Sequence, residues 1–188
     1  MLTKKFIWFV LVSAVSLGIA CGLGEQTEEA NRLVDEANVV IEKNNELIEK
    51  TDGIFMDLFG DNLTAVKDFK AYKEKNKTKF DEVIKITGQI EKQDAEVTDK
   101  FQQASRLKLN EKYKEYLNIK IQEMQKRTDS HKLVVPFVKK FLETNDVDEI
   151  NVLIENYNNE SAAFNKEVDE LSDKGTQIEK ENPNVIKK

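Results

Sequence analysis

The sequence predicts an all-α protein, an elongated antiparallel bundle of about four long helices that follows a cleaved signal peptide. Three observations carry this expectation. The 188 residues include only 7 Gly and 2 Pro, too few turn-formers for a many-stranded sheet. From Glu25 onward, apolar residues recur at three- and four-residue spacing, the period of one helix face. Acid precedes base by four residues at Glu46/Lys50, Asp81/Lys85, Glu96/Lys100 and Glu170/Lys174, the favourable order on a solvated helix surface.

The N-terminus is organised differently. Lys4 and Lys5 form a positive n-region, and Phe6 to Leu17 is an apolar stretch of signal-peptide length. Leu17-Gly18-Ile19-Ala20-Cys21 closes it and contains the single cysteine of the chain. This layout resembles the lipobox of bacterial lipoproteins over the first two dozen residues. The resemblance implies cleavage after Ala20, lipid attachment at Cys21, and a membrane as the partner of that lipid. The chain departs from the family pattern at the third position before the cysteine, where Gly18 replaces the usual Leu. Two other readings stay open. Gly18-Ile19-Ala20 also suits ordinary secretory cleavage, which releases a soluble protein. The uncharged run from Phe6 to Gly24 is just long enough for an uncleaved spanning helix. All three readings put the body of the protein outside the cytoplasm.

Residues 1–20 are therefore read as the signal and 21–188 as one domain, with 184–188 a frayed tail. Removal of the signal leaves 27 basic against 35 acidic residues, a net −8. That balance argues against a nucleic-acid partner, because phosphate neutralisation needs a basic face. One cysteine forms no intrachain disulfide, so the domain must hold by packing alone.

The first helical segment carries Ala30, Leu33, Ala37, Val40, Leu47, Ile54 and Leu58 on one seam, with Asn44 and Thr51 filling the polar gaps. Val34, Ile41, Ile48 and Phe55 widen the stripe. Gly53 and Gly60-Asp61-Asn62 are the first expected break. A second segment, Leu63 to Ala104, bears Val66, Phe69, Phe80, Val83, Ile90, Val97, Phe101 and Ala104. Lys73, Asn76, Thr87 and Asp94 share its seam, making it the least dry. After a connection over 105–110, the third segment presents Tyr113, Leu117, Ile121, Met124, His131, Val135, Val138 and Leu142. Pro136 predicts a kink or break within it. Residues 143–146 form the next turn, where Asn145 or Asp146 is placed to cap the fourth segment. That segment carries Val147, Ile150, Ile154, Tyr157, Ser161, Phe164, Val168, Leu171 and Ile178, and Pro183 ends it. Helices of this length, about 33 residues, give a rod about 50 Å long. The topology brings the Gly53–Asn62 and Glu143–Asp146 turns to one end, and the 105–110 turn and the C-terminus to the other.

No catalytic or metal-ligating constellation emerges, and neither cofactor nor metal is expected. His131 is the sole histidine and falls on an apolar seam, so a packed or boundary role is expected, and a zinc site of usual composition is out of reach. No serine sits in a nucleophile elbow. The Glu-x-x-His spacing of di-iron bundles is missing. Asp52, Asp57, Asp61 and Asn62 cluster near the first turn, but not at the spacing of a calcium loop. The stretch with most surface character is Ile54, Phe55, Met56, Leu58 and Phe59, five large apolar groups at one end of the rod. These five either cap the bundle or form a patch for a partner.

In overall plan the chain resembles the helical lipoproteins of Gram-positive bacteria that are described as cell-wall-binding, and the helical surface lipoproteins of spirochaetes. The likeness is one of architecture and composition, with no residue motif to carry across. It implies a lipid-anchored, non-enzymatic bundle in the cell envelope that meets another envelope protein or a cell-wall component. The alternative expectation is a secreted or anchored small-ligand binder, with its pocket where the seam turns polar at Lys73, Asn76, Thr87 and Asp94.

Overall fold

The computed structural model describes residues 24–60, 63 and 65–183; Cys21 with the signal segment, Asp61, Asn62 and the 184–188 tail lie outside the described residues. Among the described residues the fold is all-α, helices joined by turns with no strand. The helices are α1 (Gly24–Phe59), α2 (Phe69–Lys75), α3 (Lys77–Ser105), α4 (Glu111–His131), α5 (Val134–Glu143) and α6 (Val147–Glu181). Two of the four expected segments are thus each divided in two.

Each boundary has a local cause. The 36-residue α1, about 54 Å long at 1.5 Å per residue, runs straight through Gly53. A Cβ there would meet nothing within 4 Å, so this glycine weakens the helix without turning it, and the expected break at 53 is displaced to Gly60. There the amide donates to the Met56 carbonyl at 2.9 Å, and a Cβ would lie 2.4 Å from that same oxygen. Only glycine lets the chain leave α1 this closely.

The second segment does not begin as a helix. Ahead of Asp68, Leu63 N donates to Gly60 O at 3.0 Å and Val66 N to Leu63 O at 3.1 Å. Asp68 then caps α2 by accepting from the Ala71 amide at 3.0 Å. Asn76, with φ −102° and ψ 10°, interrupts the helical path and sets α3 on its own course. In the third segment the break falls over Lys132 and Leu133, upstream of Pro136. Proline at position i excludes the carbonyl of i−4 and offers it no amide; for Pro136 that carbonyl belongs to Lys132. Pro136 accordingly sits in the first turn of α5, where an amide would have no intrahelical partner. Asn110 caps α4 through the Tyr113 amide at 2.8 Å, and Asp146 caps α6 through the amides of Asp148 and Glu149 at 2.9 and 3.0 Å.

The packing is antiparallel. α1 lies on α3, with Lys100 to Glu36 at 2.7 Å, Lys50 to Glu82 at 2.6 Å and Lys79 to Asp57 at 3.3 Å marking the register. α3 in turn packs on α4, and α4 on α6. Gly175 of α6 rests against Ile119 and Lys120 of α4, and Lys126 pairs with Glu167 at 2.6 Å. α5 closes on α3 and α6.

Two apolar cores result. The basal core gathers Ala30, Leu33 and Ala37 of α1, Val97, Phe101 and Ala104 of α3, Leu109, and Tyr113, Leu117 and Met124 of α4. The distal core gathers Leu58, Phe59, Leu63, Phe69, Phe80, Val83, Phe137, Val138, Phe141 and Ile150. The 143–146 turn stands beside α2, as the topology predicts: the Lys73 ammonium donates to the Thr144 carbonyl and to Asn145 Oδ1 at 3.2 Å.

Candidate functional site

Between the two cores the seam residues become polar on three helices over about two helical turns, and a belt forms. α1 contributes Asn44 and Thr51, α3 contributes Thr87 and Asp94, and α4 contributes His131. The first four are buried. Asp94 is the hub. Its Oδ1 accepts from Asn44 Nδ2 at 2.7 Å, and its Oδ2 meets His131 Nδ1 at 2.7 Å. Thr51 hydroxyl donates to the Leu47 carbonyl at 2.8 Å, within its own helix. The Asn44 carbonyl oxygen and the Thr87 hydroxyl have no hydrogen-bond partner among the described residues, so this level of the bundle is not fully satisfied by protein groups.

Asp52 follows Thr51 on α1 and is half-buried. Burial raises its carboxyl to about 6, helped by the charge of Glu49 and opposed by His131. The Tyr157 hydroxyl of α6 is raised by its own burial and by Asp52. The imidazole makes one hydrogen bond among the described residues, to Asp94 on α3. The His131 side chain keeps 21% of its surface exposed.

A second buried charge lies on α4. Glu123, 2% exposed, accepts from Lys120 at 2.5 Å and from Arg127 at 2.7 Å. Burial works to raise its carboxyl, but the two cations outweigh it and hold it low. This is a self-contained ion triplet on one helix face.

The four polar seam residues of the expected ligand pocket do not converge. Lys73 spends its ammonium on the α5–α6 turn and stands 4.9 Å above the Phe141 ring. Asn76 folds back on the Tyr72 carbonyl at 2.9 Å. Only Thr87 and Asp94 belong to the belt. Of the expected acidic cluster, Asp57 pairs with Lys79 at 3.3 Å, and among the described residues no group of three or more metal-ligating side chains comes together.

At the distal end, Leu58 and Phe59 are buried, Ile54 and Phe55 are packed against the core, and Met56 is 56% exposed. Phe59 stacks among Phe55, Phe137 and Phe141 with ring centres 4.5, 4.9 and 4.9 Å away. Phe55 reaches Tyr157 of α6 at 5.4 Å. Four of the five apolar groups therefore cap the bundle. The large hydrophobics left open at this end are Met56, Val147 and Val152, the last 57% exposed.

Sequence reasoning placed His131 on an apolar seam but missed its partner. The available signal was periodic: Asn44, Asp94 and His131 are each a polar interruption of an otherwise apolar stripe, at positions that antiparallel pairing brings level. Among the described residues no helix is long and apolar enough to cross a membrane. Comparison of the chain with protein-family models, with curated proteins and with solved structures finds no match.

Proposed function

We propose that the protein is a lipid-anchored, non-enzymatic component of a bacterial cell envelope, held at Cys21 and presenting its helical bundle to another envelope protein or to a cell-wall component. The single observation that carries this reading is the position of the only cysteine: directly after Ala20, at the end of a twelve-residue apolar stretch that follows Lys4 and Lys5. The start of α1 at Gly24 supports it, since so short a tether keeps the basal core beside the lipid. The distal core then stands about 50 Å away, with Met56, Val147 and Val152 as the apolar groups open to a partner.

Intact-mass analysis of the protein made in a bacterial host tests the anchor. The expected result is cleavage before Cys21 with a diacylglyceryl increment that Cys21→Ser abolishes. A mature chain without that increment overturns the anchor in favour of soluble secretion. The interaction is tested by capture of envelope components with delipidated protein. Substitution of Met56, Val147 and Val152 by serine is expected to abolish capture and leave the melting temperature within a few degrees; capture unaffected by all three overturns the distal surface.

A further inference from the structure

The chain is net acidic at −6, yet residues 67–79 hold six lysines against two acids, Asp68 and Glu74. The fold gathers these lysines at the corner where α2 meets α3 and engages only two of them. Lys73 turns inward to the Asn145 side chain at 3.2 Å, and Lys79 pairs with Asp57 at 3.3 Å. Lys67, Lys70, Lys75 and Lys77 are exposed and make no ion pair among the described residues. We propose that these four lysines are a docking surface for a linear polyanion of phosphate groups, lying along the outer face of α2 and over the start of α3.

The short helix α2 presents the strip. Phe69 and Lys73 face the bundle, whereas Lys70, Ala71, Glu74 and Lys75 face solvent. Its seven residues span about 10 Å, with Lys67 just before them and Lys77 just after. Of the two acids, Asp68 accepts from the Ala71 amide at 3.0 Å as the cap of α2, which leaves Glu74 inside the strip. The 143–146 turn, with Glu143 and Asp146, meets α2 on its inward side through Lys73. Charge effects at the surface fade over about 8 Å at physiological salt, so the acidic remainder of the chain does not cancel the strip.

The helix ends add to the positive field instead of offsetting it. Lys77 and Lys79 lie in the first turn of α3, which has no acidic residue, although the helix dipole favours acids there. α4 and α6 follow that preference with Glu111 and with Asp148 and Glu149. Asn76 stands at the N-cap of α3 but makes no side-chain cap bond; its amide donates back to the Tyr72 carbonyl at 2.9 Å. The folded chain thus leaves this corner electrostatically unfavourable, and an external anion relieves it.

The chemistry narrows the occupant. Every cation of the strip is a lysine, a point charge without the planar fork that arginine offers to a single carboxylate. That suits repeated phosphates read by charge alone. Over residues 65–79 no large apolar side chain is exposed, so the strip has nothing to insert into a bilayer. The surface uses neither Cys21 nor Met56, Val147 and Val152, and it stands or falls separately from the envelope reading.

Calorimetric titration of the full chain, in a neutral detergent, with long-chain inorganic polyphosphate over a range of salt tests this. The association constant is expected to fall with salt at a log–log slope of about −3, four lysines at about 0.7 each on a single strand. Lys70→Gln with Lys75→Gln is expected to weaken binding about twentyfold at about 0.1 M salt and to reduce the slope by about 1.5. Lys43→Gln with Lys108→Gln removes the same charge from exposed lysines elsewhere and is expected to leave binding within about twofold. Absence of polyphosphate binding, a wild-type slope near zero, or equal weakening in both double variants overturns the proposal. Binding to phosphatidylglycerol vesicles without binding to polyphosphate also overturns it, in favour of a membrane surface. The wild-type slope decides the matter even where a variant fails to fold.

Discussion

Asp52 is a charged residue that its surroundings oppose. Its carboxyl lies at about 6 in the folded chain against an ordinary 3.8, chiefly because burial penalises the anion. A folded-state value above the unfolded one means that the folded protein holds the proton more tightly. The stability linked to Asp52 is therefore fully present below about pH 4 and is lost as the pH rises through about 6. Asp52→Asn removes the penalty. Thermal melts should show the variant more stable than wild type by about 1–2 kcal/mol at pH 7.5, after allowance for solvent screening, with no such gain at pH 4. Glu123 behaves oppositely, since Lys120 and Arg127 outweigh its burial. Two carboxyl groups, one paired with Lys120 and Arg127 and the other governed chiefly by its own desolvation, take opposite directions in one bundle. Residue type alone does not distinguish them.

At the scale of elements, the backbone decides where a helix stops, and side-chain periodicity decides only which face it buries. Gly53 and Gly60 share a residue type and differ in role. Gly53 is exposed in mid-helix with open space around it, whereas Gly60 is pressed against the Met56 carbonyl. Gly53→Ala should raise stability by up to about 1 kcal/mol through helix propensity. Gly60→Ala should lower it by about 1–3 kcal/mol, because the chain must open the α1 exit to admit a Cβ. Chemical denaturation of the two variants checks both signs in a single experiment, and equal effects would contradict the assignment of Gly60 as the turn. The cap at Asp146 was readable because Asn and Asp before a periodic run are the residues that satisfy the free amides of a helix start; the cap at Asn110 came from the structure. The interruption at Asn76 was not readable, since neither proline nor glycine marks it.

The whole molecule is a bundle with two apolar ends and a polar middle. The distal end is the denser in aromatic rings: Phe55, Phe59, Phe69, Tyr72, Phe80, Phe137, Phe141 and Tyr157 form a continuous series of ring contacts. Phe59, 5% exposed, stands at its centre. Phe59→Ser should cost about 3–5 kcal/mol, the usual range for emptying an aromatic site in a core, and calorimetry should show a large fall in melting temperature. Met56→Ser should leave melting nearly unchanged. A mild effect of Phe59→Ser would mean that this end is an open surface after all.

The sequence by itself determined the helical class, the faces that pack, the antiparallel order and the ends at which the turns meet. Each follows from local chemistry: the three-four spacing, the scarcity of turn-formers, and the short connections that force neighbouring helices to run back on one another. Only the tertiary structure decided which polar interruptions meet. Asn44, Asp94 and His131 stand far apart in the chain, and their convergence depends on the axial register of α1 on α3 and of α3 on α4. That register is set by the summed packing of Ala30, Leu33, Val97, Phe101 and their neighbours, and single-helix periodicity contains no information about it. The separation of Phe59, buried, from Met56, exposed, has the same origin. Adjacent apolar residues are alike in sequence, and the arrival of α5 beside α1 determines which of them is covered.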